Sequence, residues 1–309
     1  MSLPDPLRQR ALWHPRYFGL WLAVLLLWGI AWLPVRWRMA LGAWLGRQML
    51  KRNIKRQRII EINLALCFPD WDAAARAALA LSSAERAGQA LIDLSTLWLR
   101  SEKAIQRRWQ VHGREHLDAV LAAGRAPLFV TGHAVGLDMG AAAMTVACGG
   151  GVGPYNPTDK PFLDAWFVWG RTRFGSQLMT RAEGLRPLLK ALKSGLAAYY
   201  IPDEDHGTAH SVFAPFFGVQ KATLPLLGRL AEQGRAEVVP FFTQLDPTTG
   251  IYHLHIESAL SNFAGADALA DATRMNAMLE AMIRRDPSQY MWSFKLFKTR
   301  PAGEPGMYP

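Results

Sequence analysis

Cysteine and acid are both scarce in this chain. Two cysteines in 309 residues, Cys67 and Cys148, lie far apart and offer no disulfide framework, which fits a reducing compartment. Nothing near Cys148 would lower its pKa, which argues against a cysteine nucleophile. There is no Gly-x-Ser-x-Gly elbow and no phosphate-binding P-loop, so the nucleophile-elbow hydrolases and P-loop enzymes drop out. There is no zinc-finger spacing and no RNA-binding aromatic motif, which argues against nucleic acid as a partner. No internal repeat or low-complexity linker interrupts the chain. Asp and Glu number 25 against 35 Lys and Arg, leaving a net charge of +10. With nucleic acid disfavoured, that balance points to an anionic membrane surface or an acidic partner.

Half of the residues are hydrophobic, enough to bury a large core. Twelve tryptophans favour contact with a membrane interface, where indoles settle at headgroup level. Residues Phe18 to Leu33 carry no charge and are flanked by Arg8, Arg10, Arg16, Arg36 and Arg38. As a helix this run would measure about 24 Å, short of the roughly 30 Å hydrocarbon core. It is expected to anchor the chain obliquely, or to span with local thinning and snorkelling arginines. No small-x-small cleavage motif follows, which argues against a removed signal peptide. From Arg36 to Arg58, basic residues interleave with Trp37, Leu41, Trp44, Leu45, Met49 and Leu50, as in a helix lying on anionic headgroups. The chain thus divides into a membrane anchor with a basic amphipathic segment (1–60) and one α/β domain (61–309).

Within that domain, Leu128 to Thr131 reads as a buried strand, ended by Gly132. His133 follows, and Asp138 opens a run of small apolar residues suited to a helix packed closely on a sheet. A carboxylate is favoured at such a helix start. This arrangement puts an imidazole and a carboxylate at the carboxyl edge of a sheet, where α/β proteins place their sites. Such a pair can take a proton from an alcohol. Of the eight histidines only His133 has an acidic residue five positions on; the bare match also suits a core histidine satisfying a loop carbonyl.

A second cluster, Asp203-Glu204-Asp205-His206, ends the strand expected at Ala197–Ile201. Neighbours on an extended chain point to opposite faces, which argues against all of them meeting one metal ion. A polar rim on the same sheet edge as His133 is the preferred reading, and no metal or cofactor is expected. Arg171, Arg173 and Arg181 lie between the two clusters and could hold phosphate by charge-assisted forks. Further strands are expected at 238–242 and 252–256, and helices at 162–174, 184–193, 224–233 and 268–285. The run Gly149-Gly150-Gly151 reads as flexible.

Several blocks together resemble a known family. Thr131-Gly-His-Ala-Val-Gly-Leu-Asp138 resembles the His-x4-Asp/Glu block of the lysophospholipid and glycerol-phosphate acyltransferases. Asn63-Leu-Ala-Leu-Cys-Phe-Pro69 and Trp169-Gly-Arg-Thr-Arg-Phe-Gly175 are similar to blocks of the late acyltransferases of lipid A biosynthesis. Tyr200-Ile-Pro-Asp-Glu-Asp-His-Gly207, His210-Ser-Val-Phe213, Pro215-Phe-Phe217 and Lys221-Ala-Thr-Leu-Pro225 resemble the myristoyltransferase branch. Gln289-Tyr290, Trp292 and Phe297-Lys-Thr-Arg300 match that family's C-terminal block.

The resemblance implies a glycerol-phosphate-acyltransferase-like mixed sheet flanked by helices, with an N-terminal membrane-anchoring helix. It implies transfer of a fatty acyl chain from acyl carrier protein to a hydroxyl on a hydroxyacyl chain of a lipid A precursor (Kdo2-lipid A), at the cytoplasmic face of the inner membrane. In that scheme His133 is the general base and Asp138 fixes its tautomer, while Arg171 stabilises the oxyanion or binds phosphate. A related acyltransferase acting on a glycerophospholipid or ornithine lipid, and an inactive membrane-binding module, remain open alternatives.

Overall fold

The computed structural model describes residues 5–260, 263 and 267–309, except for the side chain of Arg181. Among the described residues, nine short runs form strands. They are β1 (Trp109–His112), β2 (Ala126–Val130), β3 (Gly151–Tyr155), β4 (Ser176–Thr180), β5 (Ala197–Tyr200), β6 (Val212–Phe216), β7 (Val219–Thr223), β8 (Ala236–Leu245) and β9 (Tyr252–Ile256). Seven of them make one mixed sheet in the order β1-β9-β8-β2-β5-β3-β4, parallel throughout except for the β8–β9 pair. β6 and β7 form a separate antiparallel hairpin.

Helices cover both faces of the sheet. β2 shows why: all five of its residues are buried. Phe129 faces a cluster with α7 (Leu137–Cys148), through Ala143 and Met144. Leu128 and Val130 face the opposite cluster, with Leu188 of α9 (Arg186–Lys193) and Leu230 of α10 (Leu227–Gly234). A strand apolar on both sides is what a covered parallel sheet requires. A third cluster joins α3 (Ile54–Cys67), α11 (Ala268–Arg285) and the C-terminal segment, through Leu64, Ile283, Trp292 and Phe297. Helix α8 (Pro161–Thr172) flanks the β3–β4 edge, and α5 (Glu102–Gln106) and α6 (Arg114–Ala122) complete the domain.

The N-terminal expectation needs correction. The apolar run folds as α1 (Phe18–Ala31), fourteen residues or about 21 Å, and no helix among the described residues is long and apolar enough to cross a membrane. The basic stretch is not one helix either. α2 (Val35–Arg52) stops where the Asn53 side chain accepts the Arg56 N–H at 3.0 Å and caps α3. The proposed boundary at residue 60 falls inside α3. Two of the arginines expected on headgroups turn inward. Arg47 pairs with Glu85 at 2.6 Å, and Arg38 is buried against Asp93 at 3.2 Å. α2 lies closely along α4 (Ala73–Leu99), because Gly42 and Gly46 leave room for the α4 backbone at Gln89 and Ala84, and Gly88 leaves room for the α2 backbone at Gly42 and Gly46.

Asp93 ties this helical layer to the sheet. Fully buried on α4, it accepts Arg38 from α2, Arg108 just before β1 at 2.5 Å, and the Tyr252 hydroxyl of β9 at 3.1 Å. Arg108 also donates to the Gly250 carbonyl at 2.7 Å. Removing one partner from a buried charge cluster strands the others. Asp93→Asn is therefore expected to cost about 3–5 kcal/mol of stability, read as a drop in the denaturant midpoint. An unchanged midpoint would show that the cluster does not hold the layers together.

Candidate active site

His133 and Asp203 meet because their strands are neighbours in register. β2 pairs with β5 so that Val130 lies opposite Tyr200, and each functional residue sits three positions further on. The Thr131 N–H continues the ladder to the Tyr200 carbonyl. The His133 Nδ1 lies 2.6 Å from Asp203 Oδ1, and the His133 backbone N–H donates to Asp203 Oδ2 at 2.7 Å. The Tyr290 hydroxyl donates to the same Oδ2 at 2.8 Å. Gly132 sits in a tight place: a methyl group there would lie 3.1 Å from the Tyr290 ring and 3.2 Å from Asp203 Oδ2, so those neighbours would have to give way.

The C-terminal segment clamps this loop. Met291 N–H donates to the His133 carbonyl at 3.0 Å, and Val135 N–H to the Gln289 carbonyl at 2.7 Å. Ser83 of α4 donates to the Tyr290 carbonyl, and Asn63 of α3 donates to the Trp292 and Phe294 carbonyls, both at 2.7 Å. Phe294 stacks obliquely on the His133 ring, 4.6 Å between centroids.

Electrostatics set the imidazole's state. Burial penalises a charged Asp203, but the adjoining His133 and three donated hydrogen bonds outweigh it and hold the carboxyl down at about 2. Burial alone would lower the His133 pKa; the Asp203 charge and hydrogen bond, with help from Glu204, raise it above the usual 6.5. An ionised carboxylate only accepts, so Nδ1 carries a proton and neutral His133 leaves Nε2 free as an acceptor. The Nε2 side faces Glu204, whose Oε1 lies 3.6 Å away.

The expected His133–Asp138 pair is corrected by this geometry. Asp138 sits in the first turn of α7, and its carboxylate receives Arg171 from the last turn of α8. The fork measures 2.6 Å from Nε to Oδ1 and 3.3 Å from Nη2 to Oδ2. Asp138, chiefly by its charge, raises the Arg171 pKa. Five residues of separation carry Asp138 off the loop and onto a helix, whereas Asp203 shares the strand edge with His133.

The other candidates separate. Glu204 and His206 line the same cavity as His133, Asp138 and Arg171. Asp205 turns away to accept the Thr299 N–H at 2.6 Å and hydroxyl at 2.7 Å, so it anchors the C-terminal segment. Arg173 is spent on the end of α4, donating to the carbonyls of Leu97 (3.0 Å), Trp98 and Arg100 (2.8 Å). A guanidinium is well placed there, at the negative end of a helix. The Arg181 side chain lies outside the described residues. Lys221 was missed from the residues themselves, though it sits in one of the quoted blocks. Fully buried, its ammonium is pushed down by desolvation and drawn back up by Asp203, Asp205 and Glu204. Tyr290 and Asn63 were likewise quoted without a role.

The cavity holds about 570 Å³, within the roughly 300–1,000 Å³ range of small-molecule sites. Its polar groups gather at the strand ends and its remaining wall is mostly apolar. Among the described residues no group of three or more His, Cys, Asp or Glu side chains is placed to hold a metal ion.

A base at His133 must be neutral, so activity is expected to rise with pH through a midpoint above 6.5. Asp203→Asn removes the charge that raises this midpoint. It should shift the acid limb to lower pH and cut the rate on the order of 10²–10⁴-fold. A pH–rate profile with an unmoved acid limb would separate the two residues functionally.

A family model described as bacterial lipid A biosynthesis acyltransferase matches residues 6–299. The lipid A biosynthesis myristoyltransferase of Escherichia coli (strain K12) is 35% identical over 293 residues, covering 94% of this chain and 90% of that protein. The lauroyltransferase of the same strain is 36% identical over 299 residues, covering 96% and 97%. The palmitoleoyltransferase of that strain is 30% identical over 302 residues, covering 96% of each chain. Identities this close give no preference between the acyl groups those names carry. With a matched model over nearly its full length and relatives of this similarity, the chain belongs to the bacterial lipid A biosynthesis acyltransferase family and is an acyltransferase.

Proposed function

We propose that this enzyme moves a fatty acyl chain from a carrier-protein thioester to a hydroxyl on a lipid A precursor, at a late step of lipid A assembly. The observation that carries the reading is an oriented imidazole, with Nδ1 on a buried carboxylate, whose other nitrogen opens on a largely apolar cavity beside an arginine–carboxylate fork.

His133 Nε2 takes the proton of the acceptor hydroxyl as its oxygen attacks the thioester carbonyl. Asp203 stabilises the imidazolium that forms, in the role expected of Asp138. The tetrahedral oxyanion develops beside Arg171, which Asp138 holds in place. The C–S bond then breaks, the ester is complete, and the departing thiolate takes the proton back from His133. Arg171 is equally suited to a phosphate of the acceptor. Glu204 and His206 line the acceptor's approach.

The membrane contact belongs to the same reading. The outer side of α1 and α2 exposes Leu25, Leu26, Trp28, Trp32, Trp37 and Trp44, each more than half exposed. Exposed basic residues Arg36, Lys51, Arg52, Lys55 and Arg56 adjoin them. A contiguous apolar surface rimmed by cations suits an anionic bilayer entered from one side. Deleting residues 1–34 should leave a protein that still binds anionic vesicles through α2, with reduced affinity. Complete loss of binding in a flotation assay would place the whole contact in α1.

His133→Ala is expected to lower transfer by about 10²–10⁴-fold with vesicle binding intact. The decisive measurement is mass spectrometry of lipid A from cells with and without the gene, complemented by wild type or His133→Ala. An added acyl chain only with wild type supports the reading. A new acyl group on glycerophospholipid or ornithine lipid instead would reject the acceptor.

A further inference from the structure

The cavity bends around an edge of the sheet. Ser176 bonds Thr145 of α7 at 2.9 Å, so Ser176 and Leu178, two residues apart on β4, face α7. Met179 belongs to the core cluster with α9 and α10 on the other face. β5 repeats the pattern. The Tyr199 hydroxyl bonds Thr145 and the Ala141 carbonyl, both of α7, whereas the Tyr200 hydroxyl reaches Leu224 just before α10. All four strand residues Leu178, Met179, Tyr199 and Tyr200 line one continuous cavity. Its lining therefore divides into a limb on each sheet face, and it also includes His133 and Glu204 from the strand ends, Asp138 from the start of α7 and Arg171 from the end of α8.

Each limb is greasy. Ala141, Ala142 and Phe167 wall the first, between α7 and α8; Leu185, Leu188 and Leu226 wall the second, along α9 and the approach to α10. Acyl transfer to a hydroxyl carried on an acyl chain brings together a hydroxyl oxygen and a thioester carbonyl carbon, each attached to a hydrocarbon tail. Two tails leaving one reaction centre crowd each other unless they diverge.

We infer that the two limbs bind two different chains at once, the acceptor's hydroxyacyl chain between α7 and α8 and the donor's acyl chain along α9. This rests on the acyl-transfer reading above. The assignment follows from what lies outside each limb. α8 carries the apolar N-terminal layer: Trp21 packs edge-on against Phe162 at 5.1 Å and Trp166 at 6.0 Å between centroids. A lipid arriving from the bilayer enters on that side. α9 and α10 instead expose Arg186, Lys190, Lys193 and Arg229 to water, suited to a soluble acidic carrier.

One substitution per limb tests the division. At Gly153 an added carbon would meet Tyr199 at an ordinary 3.7 Å, so Gly153→Leu fills the α7–α8 limb without forcing the backbone. Leu185→Phe fills the α9 limb, and Leu185→Ala enlarges it. The enzyme is assayed with a graded series of saturated acyl thioesters against one lipid A precursor. It is then assayed with one thioester against precursors of graded hydroxyacyl length. Gly153→Leu should change preference among acceptors by about tenfold or more and leave donor preference alone. The Leu185 variants should move donor preference in opposite directions and leave acceptor preference alone. Both positions shifting the same substrate, or neither shifting any, overturns the inference, and an exchanged pattern overturns the assignment. Thermal unfolding of each variant, with Gly153→Ala as the milder change, separates a filled limb from a misfolded protein. Wild type that acylates no lipid at all would instead remove the acyl-transfer reading.

Discussion

One buried carboxylate organises the catalytic end of the molecule. Asp203 receives the backbone and ring of His133 and the hydroxyl of Tyr290, and so joins the ends of two parallel strands to the C-terminal segment. That joint constrains the imidazole by two routes, since the same carboxylate holds both its ring and its main chain. An ionised group without exposure to water survives because every donor around it is supplied. The pair's ionisation has a defined pH window. The stability that Asp203 contributes is present above the ordinary 3.8 and is lost as pH falls toward about 2. The contribution of His133 is present below 6.5 and is lost as pH rises through its raised value.

The acidic run beyond β5 divides its labour by alternation. Asp203 turns back to His133, Glu204 stays at the cavity beside Nε2, and Asp205 reaches out to Thr299. Behind them lies the buried Lys221, whose charged form is disfavoured by desolvation and partly restored by the three carboxylates. Blocks distant in sequence, from Asn63 to Thr299, are thus parts of one brace around the His133 loop. Their common effect is to hold the His133 loop and ring in place.

The N-terminal layer follows another logic. Its inner side is polar and specific, with Arg38 and Arg108 converging on Asp93, and glycines allow α2 to settle on α4. Its outer side is apolar and unpartnered, with Leu25 and Leu26 more than 60% exposed. The open side of this all-apolar helix is the one that the proposed bilayer contact would cover. The layer also lies against α8, so the surface suited to a bilayer adjoins one wall of the cavity.

The sequence by itself settled the composition class, the α/β alternation, and most elements near the site. Helix α11 was legible to the residue, because its period is regular and Asp267 caps it. β3 was not legible: the run Gly149-Gly150-Gly151 that leads into it reads as flexible, and only pairing with β4 and β5 makes Gly151–Tyr155 a strand. The β6–β7 hairpin was hidden in the same way by Pro215 and Gly218. His133 and Arg171, which both line the cavity, were legible as a histidine at the carboxyl edge of the sheet and as a basic residue between the two clusters. Which carboxylate serves which partner was not. Asp138 and Asp203 are equivalent as letters, five and seventy residues from His133. Strand register places the distant one against the ring, while a helix start carries the nearer one to Arg171. Local chemistry is written in the chain order, but a hydrogen bond is decided by distance in space, and only the packed sheet sets that.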